Sequence, residues 1–231
     1  MDRATIARQL QDLLKLRSAP VSLTFQATPP ANVPRVAAAG PAGCSYWKLA
    51  SEGKAFYTEA ADHYNCPIGA YTHGIDLPPE RAKELPEVLG TMFSLGYLRQ
   101  EEVPGIPRRQ DAFGVAVYAP LAQATVEPDV VLFRGNAKQV MLLSEAAQAA
   151  GVAAGSGLMG RPTCAAIPLA MSTQSGVASV GCIGNRVYNN MTDDELYLAV
   201  PGKQIGAVTE KLATIVNANR QLESYHRAKL A

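Results

Sequence analysis

The sequence predicts an α+β protein with two pseudo-symmetric halves, a mixed sheet with flanking helices, and a long C-terminal helix. Apolar residues recur at helical spacing near both ends of the chain, whereas short apolar runs typical of strands lie between them. A strand-like run that ends in Phe, at 20–25 and again at 129–133, precedes each of two cysteine pairs. The second half is therefore interpreted as a copy of the first.

The four cysteines divide between the two proposed copies. Cys44 and Cys66 belong to the first, Cys164 and Cys182 belong to the second, and Leu-Ala follows the first cysteine of each pair at the same spacing. If the halves pack about a pseudo-twofold axis, all four cysteines converge on that axis. The predicted organisation is a single domain over 1–231, with a first half at 1–110, a second half at 111–202 and a helix at 203–231.

Composition narrows the classes of function. The chain has 231 residues, of which 48% are apolar and 18% charged, as in an ordinary globular protein. The net charge of +1 gives no field that would attract nucleic acid or a membrane surface. The N-terminus lacks the apolar region of a signal peptide, so a cytoplasmic location is predicted. In that reducing compartment, cysteines are expected to be thiols, metal ligands or redox groups.

Helices are predicted where apolar residues recur every three or four positions. Pro79 fits the first position of a helix that ends at Gly96, and Pro86 is expected to kink that helix. Asn136 is a suitable N-cap for a helix that stops at Gly151. The predicted helices are 2–16, 79–95, 137–150 and 203–228, with a single helical turn at 46–50.

Strands are predicted at short apolar runs bounded by turn residues. One further short strand is expected around Val36. Residues 151–160 hold four glycines, but neither their spacing nor the residues that follow match a phosphate-binding loop, and a flexible entry to Cys164 is the preferred interpretation. The predicted strands are 20–25, 55–58, 113–119, 129–134 and 196–200.

Several local patterns in this order resemble the uncharacterised ArCR family, domain of unknown function number 169. The resemblance runs from Pro20 to Gly202 and implies cysteines at the four positions where this chain has them. Asn185 departs from the small residue expected at its place. The family implies no activity, so the chemistry rests on residue types. The patterns are Tyr64-Asn-Cys-Pro-Ile-Gly69, Tyr118-Ala-Pro-Leu121, Glu127-Pro-Asp-Val-Val-Leu-Phe133, Thr163-Cys-Ala165, Gly181-Cys-Ile-Gly-Asn-Arg186, Asp194-Glu195 and Pro201-Gly202.

The placement of the cysteines points to a shared metal site. Each cysteine abuts Gly, Pro or a polar turn, and ligands are usually carried on such loops. The chain has no Cys-x2-Cys pair, which disfavours a zinc ribbon. Four thiolates from separate loops suit a [4Fe–4S] or [2Fe–2S] cluster, with [4Fe–4S] preferred. Structural thiols, a redox disulfide and a cysteine nucleophile remain the alternatives.

Other polar and aromatic residues near the cysteines are candidates for cofactor binding. Arg186 and Glu195 follow Cys182; they are predicted either to bind an anionic cofactor or to pair with each other. Tyr46 and Trp47 follow Cys44 and have the shape to wall a flat tetrapyrrole such as haem, although a core position explains them equally well.

The three histidines are weaker candidates. His63 and His73 flank Cys66, where they are candidate metal ligands or proton carriers, but loop histidines are expected to be solvated. His226 is predicted to lie on the surface.

The leading functional hypothesis is a cytoplasmic iron–sulfur protein that uses four cysteines for electron transfer or redox chemistry. The expected partner is a redox protein or a small-molecule ligand, and a homo-oligomer stays open. The first alternative is a non-catalytic module that binds a tetrapyrrole or another anionic organic cofactor between the two halves. The second is an enzyme with a cysteine nucleophile and His63 or His73 as its base.

Overall fold

The computed structural model of the chain describes residues 1–155 and 160–230. Residues 156–159 of the glycine-rich stretch thus lie outside the described residues. The structure therefore tests neither a phosphate-binding loop nor a flexible entry to Cys164 there. In the described ranges no helix has the length and apolar character needed to cross a membrane. The helices are α1 (Arg3–Leu14), α2 (Ser45–Ser51), α3 (Pro67–His73), α4 (Glu84–Ser94), α5 (Ala137–Ala149), α6 (Ala166–Thr173), α7 (Ile183–Asn189) and α8 (Ile205–Arg227).

The strands form one sheet in the order β2-β3-β1-β4-β7-β6-β5. The first six of these pair antiparallel, and the short β5 adds a parallel pair with β6 at one edge. The fold is therefore α+β, with helices flanking the sheet and a long helix at the C-terminus, as predicted. The strands are β1 (Val21–Gln26), β2 (Phe56–Glu59), β3 (Val115–Pro120), β4 (Val130–Asn136), β5 (Ala154–Gly155), β6 (Gly176–Ser179) and β7 (Glu195–Pro201).

Two hydrophobic cores cover the two faces of this sheet. Val131 and Phe133 of β4 belong to the core formed with α1, α5 and α8. Val130 and Leu132 of the same strand belong to the core formed with α2 and α6. Successive side chains of a strand point to opposite faces, so a strand buried on both sides has to be apolar throughout. This explains why β4 was readily predicted from its continuous apolar run.

Helix ends follow local chemistry. The Asp2 side chain accepts a hydrogen bond from the Thr5 N–H at 2.9 Å and caps α1, and Asn136 caps α5 through the Gln139 N–H at 2.9 Å. Pro79 begins a 3-10 turn, and α4 starts only at Glu84. Pro86 then lies in the first turn of α4, where no intrahelical donor is needed. The prediction of one helix from Pro79 with a kink at Pro86 was therefore wrong.

Of the four described helices that begin at or just after a cysteine, α2 was predicted as the turn at 46–50, and the other three were missed. Helices α3, α6 and α7 and strand β6 were not foreseen, because each is too short for a clear apolar period. The short strand expected around Val36 is an isolated bridge between Arg35 and Tyr57.

A matched pair of glycines tests the close contact between the residue that follows β7 and the segment that precedes β4. A Cβ on Gly202 would overlap the Pro128 carbonyl oxygen, whereas a Cβ on Gly206 would meet only the Ile6 side chain at 3.9 Å. We expect Gly202→Ala to lower the free energy of unfolding by about 1–3 kcal/mol, as overpacking does. Gly206→Ala should leave it unchanged or slightly raised, because Ala is the better helix former. Urea unfolding of both variants measures this, and equal stabilities would contradict the predicted clash.

Candidate functional site: a cavity lined by four cysteines

All four cysteines line one cavity of about 370 Å³. They reach it from four separate segments of the chain, two in each predicted half. The rest of the wall is mainly apolar. It is formed by Pro41, Ala42, Asn65, Pro67, Ile68, Gly69, Val88, Leu89, Met92, Tyr97, Leu98, Ile106, Gly160, Arg161, Pro162, Ile183, Gly184, Asn185 and Tyr188.

Each cysteine lies at or just before the start of a helix. Cys44, Cys66 and Cys182 are the N-cap residues of α2, α3 and α7, and Cys164 lies in the 3-10 turn that leads into α6. Pro67 follows Cys66 at the first position of α3, where its fixed backbone suits a helix start. The first turns of four helices therefore present the four thiols to the cavity.

Short-range hydrogen bonds hold two of the sulfurs. The Gly69 N–H donates to Cys66 Sγ over 3.3 Å. The Cys182 N–H donates to Asn185 Oδ1 over 3.4 Å, and Cys182 Sγ lies 3.8 Å from the same oxygen. These contacts are local to α3 and α7, so the sulfur positions follow from how each helix begins.

The thiols lie close enough to affect each other's ionisation. Burial raises the pKa of Cys44 to about 12, and the proximity of Cys182 and Cys66 adds to the shift. Burial also raises the pKa of Cys164 well above its usual value, again with contributions from Cys66, Cys182 and Cys44. Both thiols are therefore neutral near pH 7, and the removal of several protons from this cavity needs a compensating positive charge.

Asn185 is the polar residue most closely associated with the thiols. Its side chain is buried, its Oδ1 faces Cys182, and its amide partly offsets the rise in the pKa of Cys44. The Asn185 Nδ2 group makes no hydrogen bond of standard length and angle in the part of the chain that the structure describes, although the Asn185 side chain acts on the Cys44 thiol. A buried donor of this kind is a candidate to bind a sulfur or a ligand atom. The sequence signalled it only as a departure from the small residue expected there.

The geometry also bears on whether the side chains of the cavity could hold a single metal ion. In the described ranges, no three His, Cys, Asp or Glu side chains are placed to hold one metal ion. The four cysteines are part of the wall of one cavity of about 370 Å³. Thiolate is the usual protein ligand of iron–sulfur clusters, so the four cysteines of this cavity stay the candidate ligand set.

His63 and His73 are fully buried, so the prediction that they are solvated was wrong. Their rings lie 5.5 Å apart, and neither ring lines the cavity. His63 Nε2 bonds Thr58 Oγ1 at 2.8 Å, and His73 Nδ1 bonds the Gly69 carbonyl oxygen at 2.7 Å. Burial lowers the pKa of His73 to about 4 and that of His63 well below its usual value. His226 is exposed, as predicted.

Tyr46 and Trp47 lie in the core and do not line the cavity. The Tyr46 hydroxyl donates to the Asp62 carbonyl oxygen and accepts from the Gly40 N–H. The Trp47 ring meets Tyr197 edge to face, with centroids 5.2 Å apart. These two residues of α2 therefore anchor the helix that follows Cys44 in the core.

Arg186 and Glu195 line a second, open depression instead of the cysteine cavity. Arg186 contacts Asp193 at 3.1 Å and donates to the carbonyl oxygens of Val180 and Thr192. Glu195 pairs with Arg134 at 2.5 Å, so the suggested pairing between Arg186 and Glu195 was wrong. Burial acts to raise the pKa of Glu195, but hydrogen bonds from Arg134 and Thr192 outweigh it and lower that pKa overall.

A family model for the uncharacterised ArCR proteins, domain of unknown function number 169, matches residues 9–211. The chain belongs to this family. A similar protein is an uncharacterized protein of Methanocaldococcus jannaschii, 28% identical over 179 residues, which cover 70% of this chain and 71% of that protein. No solved structure shows significant similarity to the chain. The ArCR assignment confirms the resemblance read from the cysteine motifs, and it leaves the chemistry to be argued from the cavity.

The reactivity of the thiols tests their electrostatics. Thiolate is the nucleophile towards iodoacetamide, so Cys44, with its pKa raised to about 12, should alkylate slowly near pH 7 and faster with each pH step. Because an acid whose pKa is raised in the folded state opposes ionisation, the free energy of unfolding should also fall between about pH 9 and 12. Peptide mass spectrometry over a pH series, with urea-unfolded protein as control, measures the rates. A plateau in the Cys44 rate below pH 9 would contradict the assignment.

Proposed function

We propose that the protein binds an iron–sulfur cluster through Cys44, Cys66, Cys164 and Cys182, for electron transfer or redox chemistry. The supporting observation is that these four thiols, distant in sequence, line one cavity. A bound cluster would supply reversible one-electron transfer. The chain's own contribution is to hold four half-buried cysteines at fixed helix starts and to offer N–H donors to their sulfurs.

The proposal includes an internal duplication in which β1, β3 and β2 correspond to β4, β7 and β6. The strand order supports it, since β2-β3-β1 on one side of the sheet is matched by β6-β7-β4 on the other. The register of β1 against β4 agrees with a twofold arrangement. Ser22 faces Val131 at the centre, and the flanking pairs are Val21 with Leu132 and Leu23 with Val130. A twofold axis through the central pair would exchange the flanking pairs.

Hydrogen bonds at the strand ends support the same correspondence. The residue after β3 bonds the residue before β1, as the Leu121 N–H donates to the Pro20 carbonyl oxygen at 2.8 Å. The residue after β7 bonds the residue before β4 in the same way, from the Gly202 N–H to the Asp129 carbonyl oxygen at 2.9 Å. In this correspondence the helices α2 and α3 match α6 and α7, so each cysteine has a counterpart on the opposite side of the proposed axis.

Electrostatics favours a cationic iron centre over free thiolates. The raised pKa of Cys44 and of Cys164 reflects an environment that disfavours negative charge. Iron would offset the charge of the deprotonated sulfurs. The Gly69 N–H already points to Cys66 Sγ, and Asn185 Nδ2 is available as a second donor. Donors of this kind set the potential and solvation of a bound cluster.

The other two hypotheses have weaker support. A cysteine nucleophile needs a lowered thiol pKa and a nearby base, whereas burial raises the pKa of Cys44 and of Cys164 and keeps His63 and His73 neutral and off the cavity wall. A tetrapyrrole held by Arg186, Glu195, Tyr46 and Trp47 would need these residues to converge, and they lie in the second depression and in the core.

Anaerobic reconstitution with ferrous iron and sulfide tests the proposal. We expect acid-labile sulfide, bound iron and broad absorbance near 400 nm, as such clusters give. Each single Cys→Ser variant should lose most of the bound iron or yield a less stable cluster. The control is Asn65→Ser, which changes the same wall without removing a thiol. Wild-type protein that stays colourless and iron-free, or four variants that all bind iron like the wild type, would overturn the proposal.

Asn185 provides a separate test of how the site is tuned. Asn185→Leu keeps the approximate shape of the side chain but removes the buried donor, so the reduction potential of the reconstituted cluster should become more negative. Asn65→Leu is the matched control, because the Asn65 amide already bonds the Gly40 carbonyl oxygen and accepts from Arg81. Spectroelectrochemical titration measures both potentials. An unchanged potential in Asn185→Leu would remove this residue from the donor set.

A further inference from the structure

The two proposed halves differ most in the segment that follows the second cysteine helix. In the second half, α7 is joined to β7 by residues 190–194. In the first half, α3 is joined to β3 by residues 74–114, which contain α4 and two 3-10 turns. The first half therefore carries an additional segment, and part of this segment forms a wall of the cysteine cavity.

Helix α4 has an apolar face that packs into neither core. None of its residues is fully buried, and none belongs to the hydrophobic clusters on the two sides of the sheet. Val88, Leu89 and Met92 lie on this face at helical spacing and line the cavity in a half-buried position. An apolar face of this kind gains stability only when something apolar covers it. The space beside it is the cavity itself.

The cavity wall carries almost no charge. Arg161 is the one charged side chain among the wall residues that the structure describes. Its guanidinium lies over the Tyr97 ring at 5.3 Å, donates to the Tyr97 carbonyl oxygen and contacts Glu102 at 3.7 Å. The positive charge is thus held at the rim by groups of this chain. An anionic ligand inside the cavity would lose its hydration. Among the described wall residues it would find no cation without a partner to bind it.

We propose that the α4 side of the cavity binds an uncharged, largely apolar organic molecule next to the cysteines. The whole cavity, of about 370 Å³, lies within the range of small-molecule pockets, roughly 300–1,000 Å³, and a ligand on the α4 side shares that space with the cysteine side. Apolar contact with Val88, Leu89 and Met92 supplies the affinity. This inference rests on the proposed function only in taking the bound cluster as the ligand's neighbour.

A matched pair of dyes tests the class of ligand. N-phenyl-1-naphthylamine is neutral, and 8-anilinonaphthalene-1-sulfonate has the same ring system with one sulfonate. We expect saturable binding of the neutral dye, with enhanced fluorescence, and binding at least about tenfold weaker for the sulfonate, since a buried unpaired charge is disfavoured. No saturable binding of the neutral dye, or equal binding of both dyes, would overturn the inference.

Variants of α4 locate the bound dye. Leu89→Asp places a charge in the wall, and Thr91→Asp places the same charge on the exposed side of the helix. We expect Leu89→Asp to weaken binding of the neutral dye by about tenfold or more and Thr91→Asp to leave it unchanged. Leu89→Trp, which fills the cavity without adding charge, should weaken binding as well. Since α4 belongs to neither core, all three should melt like the wild type, and equal dye affinity in all three would overturn the location.

Dye binding and iron content are measured in the same samples, before and after anaerobic reconstitution. If the proposed function fails, iron uptake is absent while the iron-free protein still binds the neutral dye and Leu89→Asp still weakens it. If the present inference fails, iron uptake is normal and the neutral dye does not bind. Dye binding that is lost on reconstitution would overturn the placement of ligand and cluster side by side.

Discussion

The antiparallel pairing of β1 with β4 is the contact on which the rest of the structure depends. It joins the first-half strands to the second-half strands in the middle of one sheet. Both strands are buried, so a shift of one residue would exchange the side chains of the two cores. Because β3 pairs with β1 and β7 pairs with β4, this register sets how the strands β2-β3-β1 lie relative to the strands β4-β7-β6, and with them the helices that start at the cysteines. The convergence of thiols from distant segments is a consequence of sheet register.

The ionisation of the cavity thiols follows from their position among wall residues that carry almost no charge. The Cys44 and Cys164 thiols remain protonated near pH 7, because burial raises the pKa of both. A raised thiol pKa disfavours a nucleophile, and under the proposed function the cations of a cluster would offset the charge of the deprotonated sulfurs. The histidines are held away from it, paired with Thr58 and the Gly69 carbonyl oxygen in an aromatic core. Neither histidine therefore lines the cavity with the thiols.

The segment at 74–114 gives the site its asymmetry. Without α4, the cavity would be bounded by the helix starts that carry the cysteines and by the loops beside them. With α4, it gains an apolar wall that belongs to neither core. A helix placed in this way stabilises the fold little by itself, since it buries no residue fully. Its contribution is to shape the space next to the sulfurs, where the proposed small molecule and the proposed cluster would be neighbours.

The sequence by itself predicted the long helices and strands, the four cysteines as candidate site residues, and the family. Helices α1, α5 and α8 and strands β1, β4 and β7 show their periods over enough residues to be recognised, and their burial depends on that pattern alone. The tertiary structure decided that the four cysteines line one cavity. It placed Tyr46 and Trp47 in the core, directed Arg186 and Glu195 to another depression, and brought Asn185 and α4 to the cavity. The physical reason is that a period reports which face of one element is buried, whereas a site depends on the register between elements distant in sequence.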